Sequence, residues 1–322
     1  MIIALLSAMT LSATPSPCAP DCPAPDPGPS HSTEVELTDA NGLKGTSAGA
    51  ADTRAYAVII PGSGPTNRDG DSPLGIRAAT YRLLAEALAA QGIGTLRYDK
   101  RGVGGSAAAA VREEDLTWDV SVNDALAWID WQRAQTRRPC VWVIGHSEGA
   151  QIALSAARRA PDKVCGLVLI SGAGRPAVEL LREQFASVPE PAQTQLNELM
   201  AELAADRPVE CPPAFATLCR PSVQPYMRSW LALDPAADVA QLEVPILVVQ
   251  GTTDLQTSVA DAQRLTAARE GIELRLFEGV NHVLKVAPAE RTANLATYSN
   301  PDLPLAPGLA EAVGEFILRA RY

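Results

Sequence analysis

Ser147, Asp254 and His282 are the residues whose types and order in this chain fit nucleophilic chemistry. A serine hydroxyl attacks a carbonyl only when a base takes its proton, and a third group must hold that base in the right tautomer. Ser147 is the centre of Gly145-His146-Ser147-Glu148-Gly149, between the apolar run Val141-Trp142-Val143-Ile144 and an Ala-rich stretch beginning at Ala150. This order predicts a strand, a tight turn and a helix, with the serine at the apex. The residues two away must be small to fit a strained turn, and the helix start turns its amides toward negative charge developing at the serine.

The chain has 3 histidines. His31 lies beside a Pro-rich segment, and His146 sits inside the turn, from which its side chain cannot easily swing round to Ser147. His282 is therefore the expected base, following the strand-like run Ile272-Glu273-Leu274-Arg275-Leu276-Phe277. A lone histidine after a strand is usually an ordinary loop residue; the serine turn reverses that reading. Asp254, in Gly251-Thr252-Thr253-Asp254 after the apolar run 245–250, is the expected orienting acid. Asp is also common in turns and helix caps, and Asp261 is a weaker alternative inside the following helix. An oxyanion would be held by the backbone N–H of Glu148 and by one from Pro61-Gly62-Ser63-Gly64-Pro65, with Ser63 the first choice and Gly64 the reserve.

With these segments in place the chain resembles the α/β-hydrolase superfamily, and more narrowly a bacterial carboxylesterase branch related to dienelactone hydrolases and serine aminopeptidases. Residues 61–70, 96–104, 145–149, 221–226, 251–254 and 281–285 carry the resemblance, which extends from about residue 33 to the C-terminus. The order Ser147, Asp254, His282 is the one that fold uses. Asp99-Lys100-Arg101-Gly102-Val103-Gly104 resembles the family's D-x-R-G-x-G turn, which implies that Arg101 ties neighbouring loops together beneath the site. It is not a dinucleotide loop, because Ala107 stands where the third glycine would be. Asp69-Gly70-Asp71 lacks the glutamate of a calcium loop.

The elements expected around these residues alternate. Strands are predicted near 56–60, 94–98, 141–145, 167–171, 245–250 and 272–277, and helices near 77–90, 118–133, 148–159, 257–269 and 308–320. Such alternation argues for a mostly parallel central sheet with helices on both faces, led by an antiparallel pair near 33–38 and 42–47. The expected organisation is a leader and Pro-rich linker over 1–30, an α/β-hydrolase core over 31–174 and 241–322, and a mostly helical cap over 175–240. Within the cap, Tyr226 and Trp230 are the first choices for a substrate wall, with cap core as the plainer reading.

Composition bounds the partners. With 322 residues at 47% hydrophobic the chain can bury one large core, and a formal net charge of −10 argues against nucleic acid and anionic membrane surfaces. The apolar stretch 1–13 has the length of a signal-peptide core and is too short to span a bilayer, but it lacks basic residues and a clean cleavage site. Export to the periplasm or medium is expected, with a cytoplasmic location as the alternative. The 6 cysteines fit an oxidising compartment. Cys18–Cys22 and Cys211–Cys219 are plausible local pairs; Cys140 and Cys165 begin neighbouring strands and fit either buried thiols or a bridge. Neither cysteines nor histidines make a zinc pattern, and no metal or cofactor is expected. The expected activity is cleavage of small carboxylic esters through an acyl-enzyme. An amidase or aminopeptidase of the same fold is the alternative, and a binding protein without turnover is the remote one. The oligomeric state is not readable.

Overall fold

The computed structural model describes residues 31–37, 42–49, 52–186 and 188–320. The apolar leader, the Pro-rich linker and the Cys18–Cys22 pair lie outside the described residues. Strands are β1 (His31–Leu37), β2 (Leu43–Gly49), β3 (Ala55–Ile60), β4 (Asp71–Ser72), β5 (Ile76–Arg77), β6 (Ile93–Tyr98), β7 (Val141–His146), β8 (Val164–Ile170), β9 (Ile246–Gly251) and β10 (Glu273–Phe277). Helices are α1 (Thr80–Ala89), α2 (Trp118–Thr136), α3 (Glu148–Arg159), α4 (Ala177–Gln184), α5 (Ala192–Ala204), α6 (Ala216–Cys219), α7 (Gln224–Leu231), α8 (Pro235–Ala240), α9 (Val259–Ala267), α10 (Arg291–Ala296) and α11 (Leu309–Arg319).

Eight strands form one sheet in the order β1-β2-β6-β3-β7-β8-β9-β10. β1 and β2 pair antiparallel, β2 joins β6 antiparallel, and every later pairing is parallel. The alternation of side chains explains why the central strands are apolar throughout. In β3 and β7, Val58, Ile60, Val141 and Val143 pack on one face with Trp128 of α2 and Ile152 of α3. Ala57, Ile59, Trp142 and Ile144 pack on the other with Leu84 of α1 and Phe316 of α11. A parallel sheet covered on both sides requires such continuous apolar runs. The chain crosses back over β3 to reach β7, so the ends of β3 and β7 border the point where strand order reverses. Open α/β sheets form their ligand crevices there.

Five helices, α4 to α8, intervene between β8 and β9. α4 to α7 share an apolar cluster of their own, with Leu181, Leu199, Met200, Leu203 and Met227 buried in it. Val239 of α8 and Leu242 pack instead into the main core. A disulfide joins Cys140, just before β7, to Cys165 in β8, and a second joins Cys211 to Cys219. Cys140 and Cys165 are thus a bridge rather than free thiols.

Element bounds differ from expectation where local chemistry intervenes. α1 starts at Thr80 rather than near 77, because Ile76 and Arg77 pair with Ser72 and Asp71 in a two-strand ribbon. Asp71 then accepts the Ala79 N–H at 2.9 Å. α9 starts at Val259, where Ser258 and Asp261 form a reciprocal capping box. Among the described residues no helix is long and apolar enough to cross a membrane, and no group of side chains suits a metal ion.

Candidate active site

Ser147 adopts φ 56° and ψ −121° between β7 and α3. A non-glycine residue at positive φ is strained, and here the crowding of the flanking glycines enforces the turn. A Cβ at Gly145 would fall 2.3 Å from the Gly149 carbonyl oxygen, and one at Gly149 would fall 2.3 Å from the Ile60 carbonyl oxygen. α3 can therefore start back over the end of β7 only with glycine at 145, and pack against the end of β3 only with glycine at 149. Ser147 stands at the N-cap without a capping hydrogen bond from its side chain, so its hydroxyl is not consumed by the helix end.

Asp254 and His282 meet across the loops after β9 and β10. His282 Nδ1 lies 2.9 Å from Asp254 Oδ2 and 3.1 Å from Oδ1. Asp254 also accepts the Gln256 N–H at 2.8 Å, the Thr257 N–H at 3.1 Å and the Thr257 hydroxyl at 3.1 Å. Burial works against its charge, but the His282 interaction and these backbone donors outweigh that and hold its pKa at about 2. Asp261 is excluded from this role by its own partners: Arg175 donates to it at 2.8 Å and Ser258 occupies its second oxygen. Ser147 and His282 line one small cavity together with Gly62 and Ser63.

The loop after β3 is tied back by its carbonyls. The Gly62 carbonyl accepts Lys100 Nζ at 3.0 Å, the Ser63 carbonyl accepts the Thr66 hydroxyl at 2.8 Å, and the Gly64 carbonyl accepts the Thr66 N–H at 2.9 Å. That fixes the loop beside the serine. A Cβ on Gly62 would lie 3.3 Å from the Ser147 Cβ.

A larger cavity of about 350 Å³ opens on the same serine. Ser63, Gly64, Glu148, Tyr226 and Trp230 all line it, so the structure brings these sequence candidates together with Ser147. Sequence reading missed others. Lys100 reaches Glu148 Oε1 at 2.8 Å, and Gln151, three residues beyond Glu148 on the same face of α3, accepts the Trp230 indole N–H at 2.9 Å. The indole can only donate, so it fixes Gln151 with its amide oxygen toward Trp230. Arg101 ties neighbouring segments as expected, donating to the Ala109 carbonyl at 3.4 Å and to Asp124 of α2 at 2.6 Å, but Arg101 and Asp124 line the cavity rather than lying beneath it. Asp99 adds a second tie, accepting Arg68 at 2.8 Å and the Gly105 N–H at 2.8 Å.

Three carboxylates line the large cavity among the described residues, and each has a cationic partner: Glu148 with Lys100, Asp124 with Arg101, and Glu113 with Arg220. For Glu148, burial raises the pKa while the charge of Lys100 and its hydrogen bond lower it, with a downward net direction. The carboxylate is therefore charged and already compensated.

The family model for S33 serine aminopeptidases, Hydrolase_4, matches residues 74–236. Among solved structures the chain is similar to Est1E from Butyrivibrio proteoclasticus, with 16% identity, coverage of 89% of this chain and 98% of that one, and a TM-score of 0.56. It is also similar to the esterase domain of a Rhodothermus marinus protein, with 17% identity, coverage of 90% and 98%, and a TM-score of 0.55. At such identities the likeness is one of fold. A stretch of 72 residues is 43% identical to a proline iminopeptidase of Arabidopsis thaliana, spanning 22% of this chain and only 18% of that relative. With half of its length matched by the family model and with the eight-stranded, mostly parallel sheet described above, the chain belongs to the S33 serine aminopeptidase family, Hydrolase_4, within the α/β-hydrolase superfamily.

Proposed function

We propose that the protein is a serine carboxylesterase acting on small esters. The observation that carries this reading is the strained Ser147 sharing a cavity wall with His282, itself paired to Asp254 at 2.9 Å. In this reading the Ser147 hydroxyl attacks the ester carbonyl while His282 Nε2 takes its proton. The Glu148 and Ser63 N–H groups receive the oxyanion, and His282 returns the proton to the departing alkoxide. Water then repeats the sequence on the acyl-enzyme. Asp254 holds the tautomer in which Nδ1 carries hydrogen and stabilises the imidazolium. Helices α4 to α7 act as the cap, with Tyr226 and Trp230 as its wall over the substrate.

The pairing of the three cavity carboxylates favours esters over N-terminal aminoacyl substrates. Binding an ammonium needs a carboxylate free of a counter-ion, and here Lys100, Arg101 and Arg220 already occupy those positions. The family match and the short iminopeptidase-like stretch favour the alternative, an aminopeptidase. A cavity of about 350 Å³ suits short acyl groups of roughly C2–C6, being at the small end of ligand pockets. The two disulfides support our expectation of an oxidising compartment. The test is a panel of p-nitrophenyl esters of graded chain length beside aminoacyl anilides, with phosphonate labelling. Short esters should be cleaved and Ser147 labelled, and Ser147→Ala should lose both. Faster turnover of the anilides would replace the esterase by an aminopeptidase, and full activity in Ser147→Ala would end the serine mechanism.

A further inference from the structure

Three hydrogen bonds cross the site through residues that the mechanism above does not use. The Gly62 N–H donates to Tyr81 Oη at 2.8 Å. Tyr81 Oη lies 2.9 Å from His146 Nδ1, and His146 Nε2 lies 2.8 Å from the carbonyl oxygen of His282. The polarity of this chain has one solution. A carbonyl only accepts, so Nε2 carries the hydrogen; in a neutral ring Nδ1 is then an acceptor, and Tyr81 must donate to it. Tyr81 thereby has its lone pairs free for the Gly62 N–H. Every donor and acceptor along the path is satisfied, and reversing any member leaves a buried polar group unpaired.

His146 is built to stay in that single state. Burial, then the charge of His282, hold its pKa at about 3. Tyr81 is buried and its pKa is raised by that burial, so it keeps its proton. The two imidazoles are 4.8 Å apart between ring centroids, inclined at 51°. A charged ring at that distance would oppose charging of His282; a neutral one does not.

This hydrogen-bond path joins two loops and a strand end that belong to three different strands. Gly62 belongs to the loop after β3, His146 to the end of β7, and His282 to the loop after β10. We propose that Tyr81 and His146 are positioning residues that set the placement of His282, through its own carbonyl, relative to Ser147 and to the oxyanion-holding loop. This rests on the serine-hydrolase reading of the site. Displacements of the order of 1 Å at such a site cost roughly 10²-fold in rate, so a tie that fixes the base to the nucleophile's own strand has catalytic weight.

The test compares two side chains of similar size at 146. His146→Gln can place an amide N–H near the position of Nε2 and so keep the donor to His282, whereas His146→Met cannot. His146→Met should lower kcat and the phosphonate labelling rate by ~10–100-fold with KM changed by less than ~threefold, as expected for a misplaced base rather than lost substrate contacts. His146→Gln should restore most of the rate. Tyr81→Phe, which removes only the hydroxyl, should lower kcat in the same way and serves if His146→Met does not fold. The downfield proton resonance of His282 Nδ1–H, bridging to Asp254, should broaden in His146→Met and sharpen again in His146→Gln. That resonance needs no substrate, so it reports the tie even if the ester reading fails. Wild-type kcat and resonance in both His146→Met and Tyr81→Phe would overturn the proposal. So would equal losses in His146→Gln and His146→Met at matched thermal stability, which would mean packing alone.

Discussion

Lys100 Nζ lies 2.8 Å from Glu148 Oε1, so the carboxylate next to the expected nucleophile is neutralised by a residue 48 positions earlier in the chain. The same ammonium holds the Gly62 carbonyl, so one cation serves both the charge balance of the cavity and the shape of the loop after β3 beside Ser147.

Lys100→Met should therefore do two things. Ester kcat/KM should fall by ~10–100-fold as the loop beside Ser147 loses its anchor, a loss comparable to disturbing an oxyanion-hole donor. Glu148 should become an ammonium site, with butylammonium a competitive inhibitor of the variant and not of the wild type. Inhibition of the wild type at the same concentration would show Glu148 to be free and would favour the aminopeptidase alternative.

Asp254→Asn should lower kcat by up to ~10⁴-fold while leaving the fold intact, because the amide no longer selects the tautomer with hydrogen on Nδ1. The stability effect has a defined pH window. The folded pKa of about 2 lies below the ordinary aspartate value, so the stabilisation from the ionised carboxylate is present above that ordinary value and is lost as pH falls through about 2. The difference in Tm between wild type and variant should narrow from pH 5 toward pH 2. With Asp254 at about 2 and His146 at about 3, neither titrates in the pH 5–8 range typical of imidazoles, so neither should shape the acid limb of the rate profile. The acid limb of kcat/KM should have unit slope; a slope of two would require another base.

Gly149→Ala should be damaging although it adds one methyl group. The new Cβ would sit 2.3 Å from the Ile60 carbonyl oxygen and 2.7 Å from that of Pro61, both backbone atoms without freedom to yield. Overpacking of this kind costs ~1–3 kcal/mol or more. Thermal melting should show a lower Tm, and the remaining folded fraction should label slowly at Ser147. Ala157→Gly, on the same helix but away from the turn, is the control for helix propensity.

Lys285 is fully buried, and its ammonium donates to the Leu303 carbonyl. Burial, then the charge of Arg82, lower its pKa to about 8. Between that value and the ordinary lysine value of ~10.4 the unfolded chain holds more protons than the folded one, so this group's contribution to stability rises with pH across that window. Lys285→Met should therefore compare most favourably with the wild type at pH 7 and least favourably at pH 10 in paired melting curves. A difference in Tm that does not change with pH would show that Lys285 is not desolvated in solution.

The turn at Ser147 could be read from local order because its constraints are local. Gly145 and Gly149 are each two residues from the serine, and the apolar run before it and the small residues after it specify strand and helix without reference to the rest of the chain. Asp254 and His282 could be read because each follows its own strand and the connections of a parallel sheet bring such loops to one edge. The partners that tune the site were not readable. Tyr81 and His146 are 65 residues apart, and His146 and the His282 carbonyl 136 apart. Their meeting depends on β3, β7 and β10 being ordered and registered as they are, and hydrophobic periodicity carries neither strand order nor register. The pairing of Lys100 with Glu148 has the same origin: neither residue's sequence neighbours point to the other, and only the packing of the loop after β6 against the start of α3 makes them one another's counter-ion.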